Sequence, residues 1–259
     1  MYYIRIILVV FFLLVLQNNR LHAQFGISHE IGVFGGPANF LTDYGERWNL
    51  QANVANAGLG VGLLHFMNLA YCNECNYQRT DSWLASHLRL RNELTWLRSN
   101  LEHYGPVASK NNIGGQLLRA MHGKTNVLEV GTLLEYHPLR IRDFTNFGYW
   151  FSPYVGLGAH FVSYKPDAYS DLGDLGNPKN VFPAFVGGIN LERGSTYSIV
   201  GVMGARYRLA WNHDLMFEGR WHYYGNDWVD GLNHDVVANK FNDVVFWIGV
   251  GYVYYINFN

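Results

Sequence analysis

Asp243–Asn259 reads DVVFWIGVGYVYYINFN, and every second residue from Phe246 onward is large and apolar: Phe246, Ile248, Val250, Tyr252, Tyr254, Ile256 and Phe258. The residues between them include Gly249, Gly251 and Asn257, which are small or polar. Alternation with a period of two is the signature of a β-strand. An ordinary strand stops after ~5–6 residues, and this one runs well past that. A strand of ~9–11 residues, apolar on one face and ending in a girdle of aromatics, is what a bilayer-spanning barrel requires.

Seven further stretches carry the same pattern. Asp214–Tyr224 sets Leu215, Phe217, Trp221 and Tyr223 against Glu218, Arg220 and His222. A tight turn at Asn212-His213 joins it to Tyr197–Trp211, where Ile199, Met203, Ala205, Tyr207 and Leu209 oppose Arg206 and Arg208. Phe151–Tyr164 (FSPYVGLGAHFVSY) opposes Val155, Leu157 and Phe161 to Gly156, Gly158 and His160. Thr125–Tyr136 opposes Leu128, Val130, Leu134 and Tyr136 to Glu129, Gly131 and Glu135. In Leu84–Asn100, Leu88, Leu90, Leu94 and Trp96 point one way and Arg89, Arg91, Glu93 and Thr95 the other. A helix would scatter that charged row around its axis. Ala57–Tyr71 alternates glycines with Leu59, Val61 and Leu63, and His29–Gly36 places Glu30 opposite Ile31 and Val33.

The expected fold is therefore all-β, an eight-stranded antiparallel up-and-down transmembrane barrel. Long polar loops are expected after the first, third, fifth and seventh strands and shorter turns after the others, the layout of an outer-membrane barrel. Val181–Leu191, inside the longest loop, is apolar enough to extend a strand or pack as a lid. Composition agrees. Across 259 residues aromatics reach 16% and charged residues only 15%, against ~25% charged in soluble domains. With 19 basic and 20 acidic residues, no nucleic-acid partner is implied.

The beginning of the chain reads as an export signal. Arg5 precedes an unbroken apolar run, Ile6–Leu16, and a cleavage site is expected after Ala23. A run of this length suits a signal peptide and is too short for a membrane helix. Residues 1–23 are thus the expected leader and 24–259 the barrel. The two cysteines, Cys72 and Cys75 in AYCNECNY, read as a turn with a local disulfide or free thiols; neither a redox fold nor a second pair of zinc ligands accompanies them.

The assigned faces put Glu30, Glu93, Glu129, Glu135 and Glu218 in the lumen with Arg89, Arg91, Arg206, Arg208 and Arg220. Five acids and five arginines balance, and an eight-stranded barrel is just wide enough for its side chains to fill. The expectation is an ion-paired, plugged lumen; a proton path or a narrow pore is the other reading. Ser28-His29-Glu30, or His160 near Ser163, could be written as a hydrolase site, but GxSxG, P-loop, Rossmann and HExxH patterns are all missing. Neither catalysis nor a cofactor or metal is expected.

Several stretches resemble one known family. SHEIGVFGGPANFLTDYG (Ser28–Gly45), LRNELTWLRSNLEHYG, NVLEVGTLLEYHPL, FSPYVGLGAHFVSYKPDA and NDWVDGLN (Asn226–Asn233) resemble, in order, segments of the PorG-like outer-membrane barrels of type IX secretion and gliding motility. Phe258 stands where outer-membrane barrels carry a terminal aromatic assembly signal. The resemblance implies an anchor or adaptor in the outer membrane, in contact with lipid and with a periplasmic ring of lipoprotein and partner. It also singles out Asp227, Trp228 and Asp230 as a loop motif. The CNEC and HPLRIRDF turns and the loop from Lys165 to Thr196 depart from the family pattern. A small porin-like or adhesion barrel, binding an external ligand through its loops, is the other reading.

Overall fold

A computed structural model of the chain describes residues 28–46, 49–68, 82–233 and 241–256. The leader, Cys72, Cys75 and Phe258 lie outside them. Eight strands follow one another around a closed antiparallel barrel: β1 Ser28–Leu41, β2 Ala57–Asn68, β3 Leu88–Glu102, β4 Met121–Tyr136, β5 Phe151–Ser170, β6 Gly194–Ala210, β7 His213–Tyr224 and β8 Val244–Ile256. The aromatic-rich last strand closes the barrel, with Glu30 of β1 opposite Tyr255 and Val33 opposite Tyr252. Closure leaves no sheet edge, which is the condition for a sheet to sit in hydrocarbon.

Side-chain chemistry decides which face turns inward. In β3, Arg89, Arg91, Glu93 and Thr95 are buried while Leu94 and Trp96 are exposed. In β8, Ile248, Val250, Tyr252 and Tyr254 face outward. The inward row of β8 holds Trp247, Val253 and Tyr255 as well as the two glycines. Two wall glycines show how little room is left for a side chain. A Cβ on Gly36 would lie 2.2 Å from the Ile248 carbonyl oxygen across the β1–β8 seam. A Cβ on Gly60 would lie 2.6 Å from the indole of Trp247, the side chain that fills that part of the lumen.

Among the described residues four short helices occupy the connections: α1 Leu50–Ala55, α3 Ile113–Ala120 and α4 Ile141–Thr145, where the sequence suggested plain loop, and α2 Trp83–His87. Asn49 and Asn112 cap α1 and α3 by accepting backbone N–H bonds, from Gln51 and Ala52 and from Gly115. α2 corrects the expectation of a strand from Leu84. Alternation fails over Trp83–His87, and Trp83 stacks on His87 one helical turn away at 4.9 Å. The connection after β4 is also longer than a short turn, running from residue 137 to residue 150 through α4. The tightest turn sits at residues 211–212, one position earlier than expected. Val181–Leu191 packs as a lid. Val181 and Phe185 are buried, and Ile189 bridges to Leu232.

The inner wall meets itself at Trp247, which is fully buried, edge-on to Phe34 at 4.8 Å and 4.7 Å below the Arg220 guanidinium. Trp247→Ala should lower unfolding stability in micelles by about 3–5 kcal/mol, measured by urea titration followed by circular dichroism. A loss below about 1 kcal/mol would mean the lumen repacks freely around the cavity.

Candidate functional site

The strands deliver ten predicted charges to one place. Glu30, Glu93, Glu129, Glu135, Glu218, Arg89, Arg91, Arg206, Arg208 and Arg220 are each at most 3% exposed, so no water column reaches them. They form layers along the barrel. Nearest the end that holds the β6–β7 turn, Glu30 meets Arg89 at 3.3 Å and Arg206 at 2.5 Å, while Arg208 meets Asp214 at 3.0 Å. In the middle, Arg91 reaches Glu93 at 2.7 Å, Glu135 at 2.8 Å and Glu218 at 2.6 Å. Arg220 grips Glu93 through two N–H donors at 2.9 and 3.1 Å. The bidentate forks fit carboxylates in a way that a lysine could not. Rings cover the open guanidinium faces, Phe66 lying 4.1 Å from Arg206 and Phe34 4.3 Å from Arg220.

In the layer above, Glu129 collects donors rather than arginines. His160 Nδ1 lies 2.8 Å and His222 Nδ1 2.9 Å from its Oε2, and the Tyr224 hydroxyl donates to Oε1 at 2.6 Å. Strand alternation marks His160 and His222 as inward-facing, but it does not show that they meet at one carboxylate. Asp214, fully buried, is absent from the sequence-based set, although it shares the parity of Glu218 and Arg220 along β7. His137, whose Nε2 lies 3.2 Å from Glu135, and Tyr154, which donates to Glu218 at 2.6 Å, are absent from it too. A tyrosine on the inner wall gives no charge signal in a sequence, and His137 lies beyond the strand alternation.

The hydrolase pairings do not assemble. His160 points into the lumen while Ser163, three positions along the same strand, lies on the outer face. His29 turns outward to His65, and Glu30 turns inward to the arginines. The outward side instead carries a polar row across four strands. His29 and His65 ring nitrogens lie 3.0 Å apart, Asn92 reaches His65 at 3.3 Å, and Thr132 donates to Asn92 at 2.8 Å. Each polar group has a hydrogen-bonding neighbour in the row, which keeps the row compatible with a lipid face.

The loop motif lies over the far end. Asp230 is fully buried; its carboxylate accepts the Asp43 N–H at 2.9 Å and the Leu232 N–H at 2.8 Å. Val229 is held between the Asp243 carboxylate, which accepts its N–H at 2.9 Å, and Thr125 of β4, which donates to its carbonyl at 2.6 Å. Trp228 packs, partly buried, against the core, while Asp227 stays half-buried at the rim. These contacts tie the last long loop to the first. Burial pushes the Asp230 carboxyl up to about 7, and the Asp227 charge adds to this against the two backbone N–H bonds.

No protein-family model matches the chain, and neither does any curated protein sequence. Among solved structures the chain is similar to Neisserial surface protein A, with 12% identity over 88% of this chain and 98% of that one, at a TM-score of 0.47. A major outer membrane protein of Thermus thermophilus gives 13% identity over 91% and 100%, also at 0.47. Ail of Yersinia pestis, solved with a heparin analogue, gives 14% over 90% and 100%, at 0.40. Scores this low say nothing of what the chain does.

Two outcomes follow. Arg91→Met would take a guanidinium from three buried carboxylates, leaving Glu93 and Glu218 to Arg220 and Glu135 to His137, and should cost about 3–5 kcal/mol, read as a lowered unfolding midpoint in detergent; an unchanged midpoint would deny Arg91 its central place. For Asp230, the folded carboxyl holds its proton more tightly than the unfolded one. The loop contacts should therefore be strongest below about pH 4 and weaken as pH rises through about 7. Amide exchange of residues 225–233 should be faster at alkaline than at mildly acidic pH beyond the intrinsic rate change, and Asp230→Asn should abolish the difference. Equal protection at both pH values would contradict this.

Proposed function

We propose that this chain is an outer-membrane barrel with a solid interior, acting as an anchor or adaptor for a type IX secretion or gliding machinery. The observation that supports the reading is the filled lumen. Charges that are ion-paired and closed to water give no path for a solute, so what the molecule offers lies at its two ends and along its flank. The outward belt of Ile, Val, Leu and aromatic side chains fits a bilayer. At the end near the β6–β7 turn, Trp83, Trp150 and Trp211 stay more than half exposed, and α2 packs beside α4. On the resemblance described above, this end would face the periplasm and the ring proteins.

An adhesion barrel is the second reading, and the loop end favours it. Tyr44 stacks on His103 at 4.6 Å, His103 meets Phe185 at 5.4 Å, and Asp230 pins the last loop to the first. Four long loops, those after β1, β3, β5 and β7, thus form one prefolded surface rather than loose strings. A porin-like version of this reading is disfavoured by the buried lumen charges.

A tagged copy drawn from native outer membrane in mild detergent separates the two. Periplasmic ring components should co-purify in stoichiometric amount. Recovery of the barrel alone, together with loss of ligand binding when the 171–193 loop is exchanged, would overturn the adaptor role in favour of adhesion.

A further inference from the structure

The layer around Glu129 is built differently from those below it. Three side chains from three strands, Glu129 of β4, His160 of β5 and His222 of β7, bring ligand-type atoms within 4.8 Å of one another, and all three are buried. The His160 ring lies between two carboxylates, with Nδ1 2.8 Å from Glu129 Oε2 and Nε2 3.4 Å from Glu93 Oε2. A neutral imidazole carries one N–H and one lone pair. Whichever nitrogen keeps the proton, a lone pair then faces a carboxylate oxygen. His222 brings a second Nδ1 to that same Glu129 oxygen, at 2.9 Å. Something positive belongs among these atoms, either added protons or a cation.

The surroundings favour a cation. The Glu129 carboxylate is oriented from behind by the Tyr224 hydroxyl on its other oxygen, at 2.6 Å. If His160 binds through Nδ1, its Nε2–H faces Glu93, which Arg220 and Arg91 fix in turn. A carboxylate behind a ligating histidine is the usual outer support of a metal centre. The net charge points the same way. Among the described residues of the strands, six buried carboxylates (the five predicted and Asp214) meet five buried arginines, an excess of one negative charge. Two imidazoles and one carboxylate suit zinc or a similar divalent transition ion, whereas magnesium and calcium prefer all-oxygen sites.

We propose that Glu129, His160 and His222 form a lumenal site for one divalent transition-metal ion, zinc by ligand type, which cross-links β4, β5 and β7 through the lumen. Ser198, whose hydroxyl lies 3.4 Å from Glu129 Oε2, or a water would complete the four ligands. The site is closed to solvent, so the ion enters as the barrel folds and leaves only when it opens.

The test refolds the full mature chain from urea into micelles with zinc, with magnesium, or with a chelator, and then removes free ion by gel filtration. About one zinc per barrel should remain after elution and magnesium should not. Zinc should raise the melting temperature above the chelator sample. Cobalt should give the visible absorption of a tetrahedral site. His222→Gln, which keeps a hydrogen-bonding side chain, should fold and lose the retained zinc and the cobalt spectrum. Should that variant fail to fold, the wild-type metal content and spectrum still decide. A wild-type barrel that folds fully and elutes free of zinc, with no cobalt spectrum and no zinc-dependent melting shift, would leave a protonated histidine hub only and overturn the proposal.

Discussion

The Arg91 guanidinium is the contact on which the rest of the barrel depends. It touches carboxylates from three strands, Glu93 of its own β3, Glu135 of β4 and Glu218 of β7. Strands on opposite sides of the barrel are thereby tied through the lumen as well as around the wall. Removing so many charges from water is costly, and only dense pairing repays it. That pairing fixes the register as well. A slip of one residue in any strand would turn its charges to the lipid and its leucines to the arginines. The polar interior therefore specifies the fold as firmly as the apolar belt does.

Most of this architecture is legible in the sequence because two strong signals coincide in each strand. In Leu88–Trp96 the apolar row, broken only at Asn92, alternates with Arg89, Arg91, Glu93 and Thr95, so both the strand and its inward face can be read from it. Ten lumen charges are assigned to the inner wall in this way, and all ten lie buried there. What alternation does not reveal is which charges meet. Glu30 pairs with Arg206 across 176 positions of sequence, and only the curvature of the closed sheet brings them together. Asp214 escapes notice because it opens a strand directly after a turn. The helices escape because each is a single turn or two, too short to show a 3.6-residue period. The loop cap is visible only as a motif. Its hydrogen bonds join Asp230 to Asp43 across 187 positions.

Function sits at the surfaces that this packing leaves available. A lumen filled by buried, paired charges offers no open path among the described residues. The loops over one end are bound to each other through Asp230, which holds Asp43, and through His103, which meets Tyr44 and Phe185. The other end is rimmed by exposed tryptophans. A closed barrel with two presentable ends suits an anchor or an adhesin better than it suits a channel. The polar row from His29 to Thr132 adds a third, lateral feature, since its side chains lie within the outward apolar belt.

The central claim is that the interior is closed, and conductance tests it most directly. Purified, folded barrel should be incorporated into planar lipid bilayers and the current recorded over a range of voltages. The account predicts a flat baseline with no stepwise openings. Reproducible single-channel steps that vanish when Arg91 or Glu218 is substituted, with the barrel still folded, would contradict it and make the charged lumen a pore.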